Sequence, residues 1–311
     1  GAQVYAFQRG AWAFVRPGLT TLRSPGASAY SLLSNEWLAL AGTSRAELFA
    51  FDVDAGWVSR RRAQSEVLPS NLADFGGAWL GGQLVVNGGY VQNGPVLDTT
   101  WRWDGSGWTA AGLSPLPMQG HQLVALPARN EVVVVGGANA LVGGLMTSAW
   151  RIALLPDGGW PLDAGWEELP DAGPGTRTRP TFVATSPSEA LLFGGSSTNS
   201  AWRYDGVFSP VAAPAFGARW RMAASLEPGV GLVASAGAPM FSGIPTPDGP
   251  LWLGTAFERL DGGLPRGRGL HTSVFDTFRR EHLVFGGLVE VAAGESAIAD
   301  VVRVAIVDGG A

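Results

Sequence analysis

The sequence contains neither cysteine nor lysine, and only three of its 311 residues are histidine. Without cysteine the chain forms no disulfide and offers no thiolate to a metal or a substrate. Without lysine it has no Schiff-base amine and no phosphate-loop lysine, since all 21 basic residues are arginine. No run of about 18 apolar residues is present, so we expect no transmembrane helix. The first residues lack a basic segment followed by an apolar run, so we expect no signal peptide there.

The charge balance excludes a further class of partner. The formal net charge is −5 and the isoelectric point is near 5.3, which leaves no basic field for nucleic acid. The 45 glycines and 21 prolines make up about a fifth of the chain, which disfavours long helices and favours short strands joined by tight turns. With a hydrophobic fraction of 46%, the chain can bury a sizeable core.

An apolar run that ends in a small residue and a glycine recurs six times along the chain. The final glycines of these runs are Gly42, Gly89, Gly137, Gly195, Gly237 and Gly287. Their mean spacing of 49 residues is near the period of roughly 50 that is typical of one class of propeller repeat. A second apolar strand precedes most of these runs, often opened by arginine or histidine. An aromatic strand, an Asp-Gly type turn and a fourth short strand follow.

Four antiparallel strands repeated at one period predict the blades of a β-propeller. The pattern resembles the kelch family over nearly the whole chain, which implies an all-β, six-bladed propeller formed by residues 1–311 as a single domain. The repeats depart from the family pattern where Ala-Gly replaces Gly-Gly, at 41–42 and 236–237, and where Asp74 stands at a position that carries Arg or His in other repeats.

The two ends of the chain complement each other. The last repeat runs through Val307 without a following aromatic strand, and a strand around Trp12 supplies one at the N-terminus. We therefore predict that the N-terminal strand pairs with the C-terminal repeat and closes the ring. The alternative is seven blades, one of them incomplete.

Polar side chains at the starts of the inner strands form the predicted ligand-binding site. If the repeats are aligned correctly, these residues surround one mouth of the central channel, where guanidinium groups would bind carboxylates or other anions bidentately. The predicted site comprises Arg23, Asp74, His121, Arg179, Arg221, Arg268 and His271. In the alternative interpretation, each arginine pins its own blade to the next through backbone carbonyls.

The histidines do not predict a metal site. His121 and His271 occupy equivalent repeat positions, where a hydrogen bond to a neighbouring blade explains them better than metal ligation does. We expect His282, next to Glu281, to lie on the surface. The copper radical oxidases among kelch propellers need a cysteine, which this chain lacks. We expect neither a metal nor another cofactor.

Three functions remain open. The first is a non-catalytic scaffold that presents loops and a channel mouth to a protein or glycan partner, for which an anionic partner is one option. The second is a carbohydrate-active enzyme, because kelch propellers include a sialic-acid mutarotase; Asp74, His121 and His271 would then supply acid and base, with Arg179 and Arg268 holding a carboxylate. The third is a structural module of a larger surface protein. The composition resembles that of GC-rich bacteria, for which we expect a secreted, periplasmic or cell-surface location.

Overall fold

The computed structural model is an all-β structure, and one 3₁₀-helix, Pro127–Arg129, is the single helix of its described part. The structure describes residues 3–8, 11–17, 25–31, 36–41, 47–52, 56–59, 72–80, 83–91, 93–104, 107–139, 143–156, 160–161, 165–169, 173–196, 198–214, 217–220, 222–235, 237–239, 250–254, 258–264, 267–277, 279–291 and 294–304. In these ranges there is no helix that is long and apolar enough to cross a membrane.

The strands are short, as the glycine and proline content predicts. The first twelve are β1 (Gln3–Gln8), β2 (Ala11–Pro17), β3 (Pro25–Ser31), β4 (Glu36–Ala41), β5 (Glu47–Asp52), β6 (Gly56–Ser59), β7 (Leu72–Ala73), β8 (Gly76–Leu80), β9 (Gln83–Asn87), β10 (Tyr90–Val91), β11 (Thr99–Trp103) and β12 (Trp108–Leu113). The next eleven are β13 (Met118–Gln119), β14 (Gln122–Leu126), β15 (Glu131–Val135), β16 (Ala138–Asn139), β17 (Gly144–Leu145), β18 (Ala149–Ala153), β19 (Glu167–Glu168), β20 (Thr181–Ala184), β21 (Ala190–Phe193), β22 (Ala201–Tyr204) and β23 (Phe208–Val211). The last nine are β24 (Arg219–Trp220), β25 (Ala223–Glu227), β26 (Gly231–Ser235), β27 (Ala238–Pro239), β28 (Pro250–Leu253), β29 (Glu258–Gly263), β30 (Thr272–Asp276), β31 (Glu281–Val291) and β32 (Gly294–Val304).

Six sheets of four or five strands are formed within the described ranges, and we number them in chain order. Sheet one is β3-β4-β5-β6, sheet two is β8-β9-β11-β12, sheet three is β14-β15-β18-β19, sheet four is β20-β21-β22-β23 and sheet five is β25-β26-β28-β29. Sheet six is β30-β31-β32-β1-β2. Neighbouring strands are antiparallel except for β1 and β32, which are parallel. The prediction of repeated four-stranded antiparallel sheets is confirmed.

The N-terminal strands extend sheet six. Strand β1 pairs with β32 through Val4–Val301 to Phe7–Val304, and β2, which contains Trp12, pairs with β1. The first strands of the six sheets contact one another in the order β3, β8, β14, β20, β25 and β30, and β30 also contacts β3.

The core lies between neighbouring sheets. All five residues of β15 are buried, which fits a strand whose two faces are both covered and whose sequence is a continuous apolar run. Val132 belongs to a cluster that contains Val85 of sheet two, whereas Val133 belongs to one with Phe182 of sheet four. Alternate residues of one strand therefore join the sheet to its two neighbours.

The glycine pair after β15 is required by the close approach of two segments. Gly136 and Gly137 have φ of 72° and 96°, which L side chains rarely adopt. A Cβ on Gly137 would lie 2.8 Å from the carbonyl oxygen of Gln119 and 2.9 Å from Cβ of His121. The segment leading into β14 therefore crosses directly over the end of β15. The residues of the candidate site lie in this segment and in the equivalent segments of other sheets.

Candidate functional site

Residues just before the first strands of the sheets lie together at one end of the molecule. We use the name inner rim for Asp74, Gly120, Arg179 and Leu270, which have φ between 50° and 66°. The backbone N–H of Gly120 donates to the carbonyl of Asp74 (2.8 Å), and that of Arg179 donates to the carbonyl of Gly120 (2.6 Å). These two bonds link sheets two, three and four in succession at the rim.

Asp74 and Arg179 form an ion pair across Gly120. The Nε of Arg179 donates to Oδ1 of Asp74 (3.3 Å), and its Nη2 donates to Oδ2. Gly120, which separates them, has no side chain to block the bridge. The guanidinium also lies over the ring of Trp220, at 5.4 Å from Cζ to the ring centre. The Arg179 side chain is 25% exposed and that of Asp74 is 11% exposed, so solvent reaches this group.

A layer of arginines lies just before the rim positions in the chain. Arg177 is fully buried and donates to the carbonyls of Gly194 (3.1 Å) and Ser200 (3.4 Å). Burial lowers the pKa of the Arg177 guanidinium to about 10, so it stays charged at neutral pH. Two other arginines make the same contact with their own glycine turns, Arg219 with Gly237 and Arg268 with Gly286, both at 3.2 Å.

The backbone carbonyls of these arginines complete the link between sheets. The carbonyl of Arg177 accepts from the N–H of Gly137 (2.7 Å), and that of Arg268 accepts from the N–H of Gly237 (2.9 Å). Each arginine thus makes two kinds of hydrogen bond. Its side chain donates to a carbonyl in the glycine turn of its own sheet, and its backbone carbonyl accepts from an N–H in the glycine turn of the preceding sheet. Because buried backbone groups need such partners, this contact explains why arginine recurs at the position.

His121 and His271 are buried one position after the rim. The Nε2 of His271 lies 2.7 Å from Oγ of Ser235, whereas the ring of His121 interacts with the backbone of Asn87. Desolvation by burial lowers the pKa of each imidazole to about 3. Both rings are therefore neutral near pH 7 and are poor proton donors there.

The seven residues of the predicted site have different surroundings. Asp74 and Arg179 are in contact at the inner rim, whereas His121, His271 and Arg268 are buried. Arg23 and Arg221 lie outside the described residues. Arg268 and Arg179, both predicted at the channel mouth, occupy different repeat positions, because the carbonyl of Arg268 accepts from the N–H of Gly237 as that of Arg177 does from Gly137.

Sequence reasoning missed two features. Trp220 was not among the predicted residues, although it follows Arg219 in the same repeat. His282, expected on the surface, is fully buried between sheets five and six, where its ring contacts Ser225 and Glu227. Aligning its position with the other repeats would have shown this, because apolar residues stand there in the other five runs.

In the ranges that the structure describes, no three His, Cys, Asp or Glu residues are grouped so that they could hold a metal ion. The inner rim carries the carboxylate of Asp74 and the guanidinium of Arg179, and the indole of Trp220 lies beside them. These groups suit hydrogen bonding and stacking with a ligand.

Comparison with known proteins supports the fold. No protein-family model and no curated protein matches the sequence. A solved structure described as "Structure of YjhT" is similar with a TM-score of 0.72 and 15% identity, over 93% of this chain and 96% of that one. This chain has a kelch-like β-propeller fold. Because 603 solved chains share the similarity and the identity is low, the likeness shows a fold and no activity.

Proposed function

We propose that the chain is one six-bladed kelch-like propeller that serves as a non-catalytic scaffold and binds a glycan at its inner rim. The cyclic contacts of the first strands, from β3 through β30 and back to β3, support six blades in a closed ring. The pairing of β1 with β32 supports closure by the N-terminal strands. A secreted or cell-surface location suits a protein that binds glycans.

The ion pair of Asp74 and Arg179 beside Trp220 is the observation that carries this proposal. The neighbouring hydroxyl groups of a sugar donate hydrogen bonds to a carboxylate and accept them from a guanidinium. The apolar face of the sugar ring stacks on an indole. Asp74 already neutralises the charge of Arg179. A neutral or weakly acidic glycan therefore fits better than a strongly anionic ligand, which would have to displace the carboxylate.

Binding fits this site better than catalysis does. An enzyme acting on carbohydrate needs an acid or a base near neutral pKa, and burial lowers the pKa of His121 and His271 to about 3. The carboxylate of Asp74 is already ion-paired with Arg179. The rim thus offers recognition groups and lacks a histidine that could donate a proton at neutral pH.

A glycan array followed by titration calorimetry tests the proposal. We expect binding of one glycan class by the wild-type protein and at least a tenfold weaker affinity in Trp220→Leu and in Arg179→Met. Trp166→Leu is the matched control, since Trp166 is a partly buried tryptophan that directly precedes β19, the outer strand of sheet three, and the variant should bind like wild type. No glycan binding by the wild type, or equal loss in the control, would point to a structural module instead. Interconversion of sugar anomers that depends on Asp74 would favour the enzyme.

A further inference from the structure

Short strand pairs lie beside the inner rim at three of the sheets. We use the name rim ribbons for β7 with β10, β13 with β16 and β17, and β24 with β27, which belong to sheets two, three and five. In each rim ribbon one strand comes just before the first strand of its sheet, and its partner directly follows the final glycine of the repeat. The rim ribbons are therefore next to the candidate site.

One ladder position is equivalent in the three rim ribbons. The residue that ends the earlier strand pairs with the residue after the final glycine, and the pairs are Ala73–Tyr90, Gln119–Ala138 and Trp220–Ala238. Two of these pairs combine an aromatic residue with an alanine, in opposite order. Directly opposite residues of an antiparallel pair lie on the same face, and alanine is too small to cover an aromatic ring. Tyr90 and Trp220 are both partly exposed, which agrees with this arrangement.

The backbone of Tyr90 is fixed on two sides. Tyr90 pairs with Ala73 on one side and forms an antiparallel bridge with Val96 on the other. The N–H of Leu97 donates to the carbonyl of Gly89 at 2.8 Å, so the segment after Tyr90 folds back along it. A ligand that stacks on an aromatic residue held in this way orders little of the protein when it binds.

Tyr90 and Trp220 lie on opposite sides of the channel mouth. The first strands of the six sheets contact one another in a closed cycle, so two sheets separate sheet two from sheet five in either direction. Packed sheets lie about 10 Å apart face to face. The two aromatic side chains are therefore farther apart than a single sugar ring can reach.

The ion pair of the inner rim lies between the two aromatic residues. Asp74 directly follows Ala73, the pairing partner of Tyr90, and the guanidinium of Arg179 lies 5.4 Å from the ring centre of Trp220. The order along the rim is thus aromatic ring, carboxylate, guanidinium and aromatic ring. A chain of linked sugars has hydroxyl groups along its length and an apolar face on each ring, so it matches this order.

We infer, on the basis of the glycan binding proposed above, that Tyr90 is a second stacking surface and that the ligand is a linear, neutral oligosaccharide longer than a disaccharide. The oligosaccharide lies across the channel mouth. Trp220 stacks on a sugar at one end, Asp74 and Arg179 bind hydroxyl groups in the middle, and Tyr90 stacks on a sugar at the other end. A monosaccharide reaches one aromatic residue alone.

A series of oligomers of increasing length tests this inference by titration calorimetry. The probes are cello-, manno-, xylo- and chito-oligosaccharides, each from one to six sugars. We expect the affinity of the wild type to rise at least tenfold from the monosaccharide to the length that reaches both aromatic residues, because the second contact is then intramolecular. Tyr90→Leu should bind the long oligomers about as weakly as the wild type binds the monosaccharide.

Two control variants accompany Tyr90→Leu. Tyr90→Phe retains the aromatic ring and should keep the rise of affinity with length. Val91→Ala changes the next residue of β10, which is also partly exposed and whose side chain points to the opposite face of the ribbon, and it should behave like wild type. In saturation-transfer NMR with the hexasaccharide that binds, both ends should receive magnetisation in wild type, and one end in Tyr90→Leu.

The outcomes separate this inference from the proposed function. If the affinity depends on Trp220 but not on oligomer length, or if Tyr90→Leu keeps the rise, the second stacking surface is wrong and glycan binding stands. An equal loss in Val91→Ala and Tyr90→Leu also contradicts it, since the loss would then come from the ribbon and not from the aromatic ring. No binding of any oligomer by the wild type overturns both this inference and the proposed function.

Discussion

Arg179 donates two hydrogen bonds to Asp74, which precedes it by 105 residues, and in doing so it passes over Gly120. The pair joins sheets two and four across sheet three. A contact between first neighbours is expected in a propeller, whereas this one connects second neighbours. The rim is therefore tied together by side chains as well as by the backbone bonds of Gly120.

A double-mutant cycle measures this connection. Asp74→Asn, Arg179→Met and the double variant should give a coupling of about 1 kcal/mol in the free energy of unfolding, because the pair is bidentate and largely shielded from water. Urea denaturation of the wild type and the three variants supplies the four free energies. Arg203 and Asp205 form the comparison pair: their side chains are 50% and 34% exposed, and we expect a coupling below about 0.5 kcal/mol. Equal coupling in the two cycles would contradict the shielded bridge.

Gly120→Ala tests the crossing beneath that bridge. Gly120 has φ of 66°, and a Cβ there would lie 2.5 Å from Oγ1 of Thr178. We expect a loss of about 2 kcal/mol in unfolding free energy from backbone strain and crowding together. Gly217→Ala isolates the backbone strain, since Gly217 has φ of 75° and no atom within 4 Å of its added Cβ. The prediction is wrong if Gly120→Ala costs no more than Gly217→Ala.

The repeat period predicted the sheets because each double glycine ends the second strand of a sheet. Glycine is needed there because another segment of the chain crosses directly over the strand end. The positions of the arginines were harder to predict. The sequence places Arg177 and Arg179 two residues apart in one repeat, but one is buried on glycine carbonyls and the other reaches the rim. Whether Arg268 corresponds to Arg177 or to Arg179 depends on a shift of two residues in the repeat alignment, and the backbone bond between Gly237 and Arg268 decides it.

The buried pair of Tyr204 and Glu131 gives a test at the other ends of the strands. The Tyr204 hydroxyl donates to Oε1 of Glu131 at 3.1 Å, and Arg129 donates to the same oxygen at 2.7 Å. We expect Tyr204→Phe to lower the unfolding free energy by about 1 kcal/mol, because the carboxylate loses one donor and keeps the other. Tyr90→Phe, at a partly exposed residue, is the control and should change it little. No difference between the two variants in urea denaturation would contradict the contribution of this hydrogen bond.

The acid sensitivity of the fold should depend on His121. Its folded pKa is about 3 and its ordinary value is 6.5, so between these values the unfolded chain binds one more proton than the folded chain does. The free energy of unfolding therefore falls as pH decreases through that window, by about 1.4 kcal/mol per pH unit for this residue. His121→Met, which installs the residue that Met222 provides at the equivalent position, removes this loss.

Urea midpoints at pH 8, 6, 5 and 4 measure the difference. From pH 6 to pH 4 the wild type should lose about 2.5 kcal/mol more than His121→Met, while carboxylates that titrate near pH 4 affect both proteins alike. The comparison uses the difference between the two curves, so those shared losses cancel. Parallel curves would mean that the imidazole gains its proton in the folded protein as readily as in the unfolded chain. In that case the ring cannot be buried and neutral between Gly76 and Gly88, whose added Cβ atoms would lie within 2.9 Å of it.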